Sequence, residues 1–231
     1  TRAVRDGDDY VINGQKIWNS NAHRSDWMFL LARTDPDAPK HKGITFFLTP
    51  TNAPGWSCRP LINMAGLHLF NETYFEDLRI PAKNIVGEEN RGWYVGAALL
   101  DFERSGIGTS ATARRAIEDL VGYAREQGNG KSENGNGNGN GAEHSRVKHA
   151  LADLAVSTEV GRLISYRVAS MQSKGEVPNA EASMAKVYLT ELTHRIYNAG
   201  VTVMGLYGPL TPESAKRSRL RGAFWMNYMV S

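Results

Sequence analysis

The sequence predicts an α+β protein in which a β domain precedes a domain of long antiparallel helices. As far as about residue 86, short runs of β-forming residues alternate with turn clusters, and no helical repeat separates them. Such spacing is typical of an antiparallel barrel or sandwich. From residue 90 the apolar residues recur at helical spacing, in runs too long for strands. This order predicts two domains, at residues 1–87 and 88–231.

The first domain contains several segments with strand character. Asp9–Ile12 and Gln15–Trp18 flank Asn13-Gly14, a dipeptide typical of a tight hairpin turn. Further strands are predicted at Trp27–Ala32, Gly43–Leu48, Trp56–Ile62 and Glu72–Ile80. Proline-containing turn clusters at 35–39 and 49–55 separate some of these strands, and Pro81 ends the last one.

The second domain contains four helical patterns, which predict an antiparallel bundle. They run from about Gly92 to Gln127, from Glu143 to Ser173, from Ala180 to Met204, and from near Thr211 to Ser231. Asn179 is the predicted N-cap of the third helix. A tract of alternating glycine and asparagine between the first two helices predicts a mobile loop at 128–142.

Composition and spacing exclude several classes of function. The net charge is +3, and no basic block with interleaved aromatic residues indicates nucleic-acid binding. The longest apolar run, Trp27–Ala32, is far shorter than a membrane span. His144 and His149 lie off a common helical face and lack further ligands, so no metal site is predicted. The single cysteine, Cys58, favours a reducing compartment, and we expect a cytoplasmic protein.

One acidic residue interrupts an apolar helix face. Gly96, Leu100, Glu103 and Ile107 follow one another at helical spacing, and Glu103 is the charged member of the set. A carboxyl group in an apolar site can act as a general base or acid near neutrality. An ion pair between Glu103 and a lysine or arginine elsewhere in the chain explains the same pattern.

Three segments in this order resemble the acyl-CoA dehydrogenase family of flavoenzymes. They are DYVINGQKIWNS at 9–20, FEDLRIPAKNIVGE at 75–88 followed by Gly92-Trp93, and LDFER at 100–104. Leu151–Ala155 and Val203–Gly208 also fit the family. The resemblance implies a middle β-barrel domain followed by a C-terminal four-helix bundle, without the family's N-terminal helical domain. We therefore expect the chain to be a fragment that is inactive by itself.

The resemblance also implies roles for individual residues. Trp18 would lie beside the isoalloxazine of FAD, Asn19 would lie along that ring, and Ser20 would bond near flavin N5. A core position for Trp18 is the structural alternative. Glu103 occupies the place of the catalytic base in one branch of the family, whereas the larger branch places its glutamate at a position beyond Ser231.

Three neighbours of Glu103 are candidate substrate ligands. By resemblance, Asp101, Phe102 and Arg104 would contact the pantetheine and acyl portion of the thioester. Asp101 and Arg104 are three residues apart, so an ion pair between them is the structural alternative.

The reaction that the resemblance implies is α,β-desaturation of an acyl-CoA to a trans-2-enoyl-CoA, as in β-oxidation. Electrons would leave through an electron-transfer flavoprotein, and the intact protein would be a homo-oligomer, such as a homotetramer, or a heterotetramer. Two alternatives are a non-catalytic subunit of a heteromeric dehydrogenase and an acyl-CoA oxidase-like enzyme. The acyl group is left open.

Overall fold

The computed structural model describes residues 1–104, 106–130, 141–214 and 219–231. The chain divides into two compact units, Thr1–Leu100 and Asp101–Ser231. An antiparallel-rich sheet is followed by helices, which is the predicted fold class. Among the described residues, no helix is both long enough and apolar enough to span a bilayer.

The first unit is built on a six-stranded sheet with the order β4-β3-β1-β2-β6-β5. The strands are β1 Arg2–Asp6, β2 Asp9–Lys16, β3 Trp27–Arg33, β4 Ile44–Pro50, β5 Trp56–Ile62 and β6 His68–Pro81. Alternate residues of neighbouring strands enter the core, since Tyr10 pairs with Ile80 and Ile12 pairs with Leu78. This period of two is the pattern by which the strands were predicted.

A seam between β1 and β3 divides this sheet. These strands run parallel, and their ladder consists of the single pair Arg2 and Arg33, beside a hydrogen bond from Arg33 N to Thr1 O of 3.1 Å. By contrast, β3 and β4 pair along their full length. Buried side chains cross the seam, and Tyr10 of β2 packs edge-on against Phe47 of β4 with ring centroids 5.1 Å apart.

The predicted hairpin at Asn13-Gly14 is wrong. The first hairpin joins β1 to β2 through Gly7, which has a φ of 63°, and Asp8. Asn13 and Gly14 instead lie within β2 at a register shift against β6, where Gly14 has a φ of 137°. The side chain of Asn13 bonds both the backbone and the carboxylate of Asp77 across this bulge. The conformational freedom that suits this dipeptide to a turn also suits it to a bulge.

The helices are α1 Gly92–Glu103, α2 Ile107–Gly130, α3 Gly141–Ser173, α4 Asn179–Val203 and α5 Ala223–Val230. In the second unit α2, α3 and α4 pack on one another, and α5 packs on α4. Their shared core includes the buried residues Leu120, Leu154, Leu189, Leu192 and Ile196.

Several predicted helix boundaries are wrong. The single helix expected from Gly92 to Gln127 is broken at Gly106, whose φ is 72°. α4 begins at Asn179 itself, with Pro178 preceding it, and no side-chain hydrogen bond caps the helix. The last helix begins at Ala223, well after Thr211. Residues 131–140 of the predicted mobile loop at 128–142 lie outside the described residues. The described residues at both ends of this segment are helical.

Candidate functional site

Trp18 follows β2 in an unusual backbone conformation. Its φ is 64°, in the left-handed region that a bulky residue rarely adopts. Its side chain is 65% exposed, and the indole meets Phe70 edge-on with ring centroids 6.0 Å apart. The alternative that Trp18 is a core residue of a strand is therefore wrong. The structure presents a large aromatic surface to solvent immediately after the strand.

The next residue, Asn19, is tied to β6 through Asn71. Their backbones exchange two hydrogen bonds, each 3.0 Å long, and Asn71 Nδ2 donates a further bond of 3.0 Å to Asn19 O. Thr73 Oγ1 donates to Asn19 Oδ1 at 2.9 Å. Because Asn71 and Thr73 are completely buried, this anchor is shielded from competing water.

Two histidines complete the polar cluster around Asn71. His68 Nε2 lies 2.8 Å from Asn71 Oδ1, and His23 Nδ1 lies 3.2 Å from Asn71 Nδ2. The two imidazoles stack with centroids 3.7 Å apart and an interplanar angle of 16°. Burial lowers the pKa of His23, the neighbouring His68 and Arg24 lower it further, and the hydrogen bond with Asn71 opposes them without reversing the direction. The arrangement therefore favours a neutral ring at His23.

Sequence reasoning missed this cluster. Asn71, Thr73 and Phe75 alternate along β6, and all of them are buried on one face. Two polar residues that alternate with the same period as a buried apolar residue indicate buried hydrogen bonds, because an unpaired polar group on the buried face would lower stability. Their partners at 19 and 23 are distant in the chain, and no local pattern identifies them.

Ser20 remains available for an external partner. It is exposed, and within the described part of the chain it forms no hydrogen bond. The segment Trp18–Ser20, which we call the indole segment, thus combines an accessible ring and a free hydroxyl on either side of the anchored Asn19. An aromatic face beside a hydroxyl group suits a planar heteroaromatic ligand with polar edges.

Glu103 is the last residue of α1, and its side chain is exposed. Because the helix is broken at Gly106, Glu103 and Ile107 belong to different helices, and the helix face predicted to contain both residues does not form. In this chain the carboxylate of Glu103 is exposed and does not lie in an apolar site. No salt bridge among the described residues includes Glu103, so the ion-pair alternative stays a prediction without a partner there.

The neighbours of Glu103 differ in their surroundings. Phe102 is 59% exposed, and its backbone oxygen accepts a bond of 3.5 Å from Gln172 Nε2. Arg104 is half-buried in the turn that follows α1. The side chain of Asp101 lies outside what the structure describes, so its predicted role and its predicted ion pair with Arg104 remain predictions. Among the described residues, no group of three or more His, Cys, Asp or Glu could hold a metal ion.

Comparison with protein families matches both parts of the chain. The acyl-CoA dehydrogenase middle domain matches residues 1–78, and the acyl-CoA dehydrogenase C-terminal domain matches residues 90–226. Together they cover nearly all of the sequence in the order that the fold shows.

Individual relatives agree with this match. The acyl-CoA dehydrogenase FadE29 of Mycobacterium tuberculosis is 35% identical over 221 residues, which are 95% of this chain and 54% of that protein. The solved Tcur3481-Tcur3483 steroid ACAD is 34% identical with a TM-score of 0.85, over 100% of this chain and 56% of that one. A chain of the ChsE4-ChsE5 complex from Mycobacterium tuberculosis is 36% identical with a TM-score of 0.82, over 99% of this chain and 57% of that one. The chain thus spans about half the length of the relatives it matches.

Proposed function

Because this chain belongs to the acyl-CoA dehydrogenase family, we propose that it is part of an FAD-dependent enzyme that desaturates an acyl-CoA thioester. The observation that carries the proposal is the ordered match of the family's middle and C-terminal domains to residues 1–78 and 90–226. Family membership supports oxidation of an acyl-CoA. FAD, a trans-2-enoyl-CoA product and an electron-transfer flavoprotein as acceptor are parts of our proposal.

The indole segment fits one part of a flavin site. Trp18 offers an exposed indole as a rigid wall for an aromatic ring, and Ser20 offers a hydroxyl that no internal partner among the described residues occupies. Asn19 fixes the backbone between them through its bonds to β6. Bound FAD would supply the two-electron acceptor for the desaturation.

We assign the proton-abstracting base to Glu103. Its carboxylate ends α1 free of any ion pair in the described chain, so it is accessible to a substrate. Glu103 would take the proton from the α-carbon of the thioester, while Phe102 would contact the apolar acyl or pantetheine chain. The cation of Arg104 and the carboxylate of Asp101 would contact polar groups of the same ligand. A glutamate outside this chain is the alternative base.

Replacement of Glu103 by glutamine tests this assignment. In the full-length, FAD-loaded protein we expect E103Q to lower turnover by about 10²–10⁴-fold, the contribution of a general base. The absorbance of bound flavin should be unchanged, because glutamine preserves the shape of the side chain. Glu126→Gln is the matched control, since Glu126 is also exposed and helical. Turnover of E103Q equal to that of the control would exclude Glu103 as the base.

A second candidate function is a subunit of a heteromeric dehydrogenase. It is favoured by the similarity to a chain of the ChsE4-ChsE5 complex. A homotetramer and a heterotetramer differ in native mass, so mass spectrometry of the protein purified under non-denaturing conditions separates them. Flavin content per chain and turnover by the isolated subunit decide whether this subunit is catalytic. Oxygen consumption without an artificial acceptor distinguishes an oxidase-like enzyme.

The similarity to a steroid enzyme suggests a class of substrate. We propose a bulky polycyclic acyl-CoA, because all of this chain resembles 56% of the chain of the steroid ACAD. A screen of steroid, branched, aromatic and straight-chain acyl-CoA thioesters checks this proposal. A preference for straight-chain substrates would contradict it. We also propose that the protein is cytoplasmic, which cell fractionation checks.

A further inference from the structure

We propose that Asn71 is a positioning residue that holds the indole segment in place for its ligand. The inference rests on the proposed function for the identity of that ligand, FAD. The anchoring itself is a property of the first unit. Asn71 does not belong to the indole segment, and it acts through Asn19 and His23.

The first argument is conformational. Trp18 keeps a positive φ that costs a non-glycine residue free energy, so surrounding contacts must hold it there. The ring of Trp18 makes one aromatic contact, with Phe70, and Ser20 has no hydrogen bond within the described chain. Of the three residues, Asn19 carries the polar restraints, and the backbone and amide of Asn71 provide most of them.

The second argument fixes the orientation of the Asn71 amide. The atom of Asn71 that lies 3.0 Å from Asn19 O must be the NH₂ group, because a carbonyl oxygen can only accept. The opposite atom is therefore Oδ1, and it must accept a hydrogen bond from a protonated His68 Nε2 at 2.8 Å. No rotation of the amide by 180° preserves both bonds.

This orientation also determines the protonation of His23. Asn71 Nδ2 faces His23 Nδ1 at 3.2 Å, so Nδ1 must be the unprotonated acceptor. His23 is then neutral with its proton on Nε2, and His68 carries a proton on Nε2 as well. One buried amide thus couples the backbone at Asn19 to the tautomers of two stacked rings. A residue that merely filled space would leave those tautomers unspecified.

The substitution Asn71→Asp tests the coupling, because aspartate has the shape of asparagine and lacks the donor. Its carboxylate would repel Asn19 O and attract a proton to His23 Nδ1. Asn71→Ala removes the amide without burying a charge, so it carries the test if the aspartate variant does not fold. Asn84→Asp is the control for the chemical change, because Asn84 Nδ2 also donates to a backbone oxygen in this unit, that of Leu48 at 3.1 Å, although that bond is exposed.

Two measurements report on the chain itself. In the full-length protein with ¹⁵N-labelled histidine, His23 should give the Nε2-protonated pattern in the unsubstituted protein and in the Asn84 control. In the Asn71→Asp protein, Nδ1 should become protonated, and in Asn71→Ala both tautomers should appear. The ¹⁹F resonance of Trp18 in 5-fluorotryptophan-labelled protein should move in both Asn71 variants. Unchanged His23 and Trp18 resonances in folded Asn71 variants would overturn the inference.

The third measurement concerns the ligand. We expect FAD to bind about tenfold more weakly to either Asn71 variant, which matches the loss of one or two buried hydrogen bonds. Equal FAD affinity of the Asn71 variants and the unsubstituted protein would overturn the positioning role. Failure of the unsubstituted protein to bind FAD, with the resonances behaving as expected, would remove the proposed function and support the anchoring.

Discussion

A methyl group added at Gly106 should destabilise the helical unit strongly. Gly106 separates α1 from α2 with a φ of 72°, and an ideal Cβ there would lie 2.5 Å from Leu189 Cδ1. Leu189 is 1% exposed, so it has little room to retreat. The left-handed backbone costs alanine about 1–2 kcal/mol, and overpacking adds about 1–3 kcal/mol. For Gly106→Ala we therefore expect a loss of about 2–5 kcal/mol in the free energy of unfolding.

The assay is urea unfolding of the full-length protein, followed by far-UV circular dichroism. Gly122→Ala is the control, because Gly122 lies inside α2 with open space around it and should gain about 0.5–1 kcal/mol. Leu189→Val in the Gly106→Ala background should restore part of the loss, since the shorter side chain relieves the overpacking but not the backbone strain. Equal midpoints for Gly106→Ala and the unsubstituted protein would show that the helix break does not need glycine.

Two further predictions concern the sheet unit. Phe47 is completely buried, so Phe47→Ala should lower the free energy of unfolding by about 3–5 kcal/mol. Phe29 lies on the adjacent strand and is 54% exposed, so Phe29→Ala should lower it much less. Equal losses for the two variants in calorimetry would contradict this reasoning. The pKa of His23 is lowered by burial, so the unfolded chain binds more protons below about pH 6.5 and stability should fall there as the solution is acidified. His23→Gln should flatten that slope in urea midpoints measured from pH 7.5 to 5.5, and an unchanged slope would assign it to another group.

Where a local pattern carries the structural information, the sequence predicts the fold well. The alternation of Tyr10 with Ile12, and of Leu78 with Ile80, indicates strands because each pair enters one core. The residues from Trp56 to Ile62 form a strand with the predicted bounds. The order of sheet and helices follows from the change of period near residue 90.

The wrong predictions arise where one local preference has two structural uses. Asn13-Gly14 satisfies a positive φ in a turn or in a bulge, and the pairing of β2 with β6 selects the bulge. Gly106 can lie within a helix or end one, and its contact with Leu189, far along the chain, accompanies the break. Helical spacing across that break cannot predict the surroundings of Glu103.

The candidate site shows the same division. Resemblance to a motif that is continuous in sequence predicts roles for Trp18, Asn19 and Ser20, and these roles stay predictions. The cluster of His23, His68 and Asn71 is assembled from separate elements and a buried amide, so its hydrogen bonds depend on tertiary structure. Alternation along β6 reveals that a polar side chain is buried, but it does not reveal its partner.

The seam in the sheet has a consequence for how the first unit opens. Because one residue pair forms the ladder between β1 and β3, the backbone can separate there while both flanking hairpins keep their amide protection. Resistance to that opening comes from buried side chains, among them the ring contact between Tyr10 and Phe47. It also comes from backbone bonds between β4 and the segment that follows β6, such as Val86 N to Phe46 O at 2.9 Å. Between β1 and β3 the sheet is held mainly by buried side chains, whereas ladders of hydrogen bonds hold it on either side, so cooling or a core truncation should loosen it along this line first.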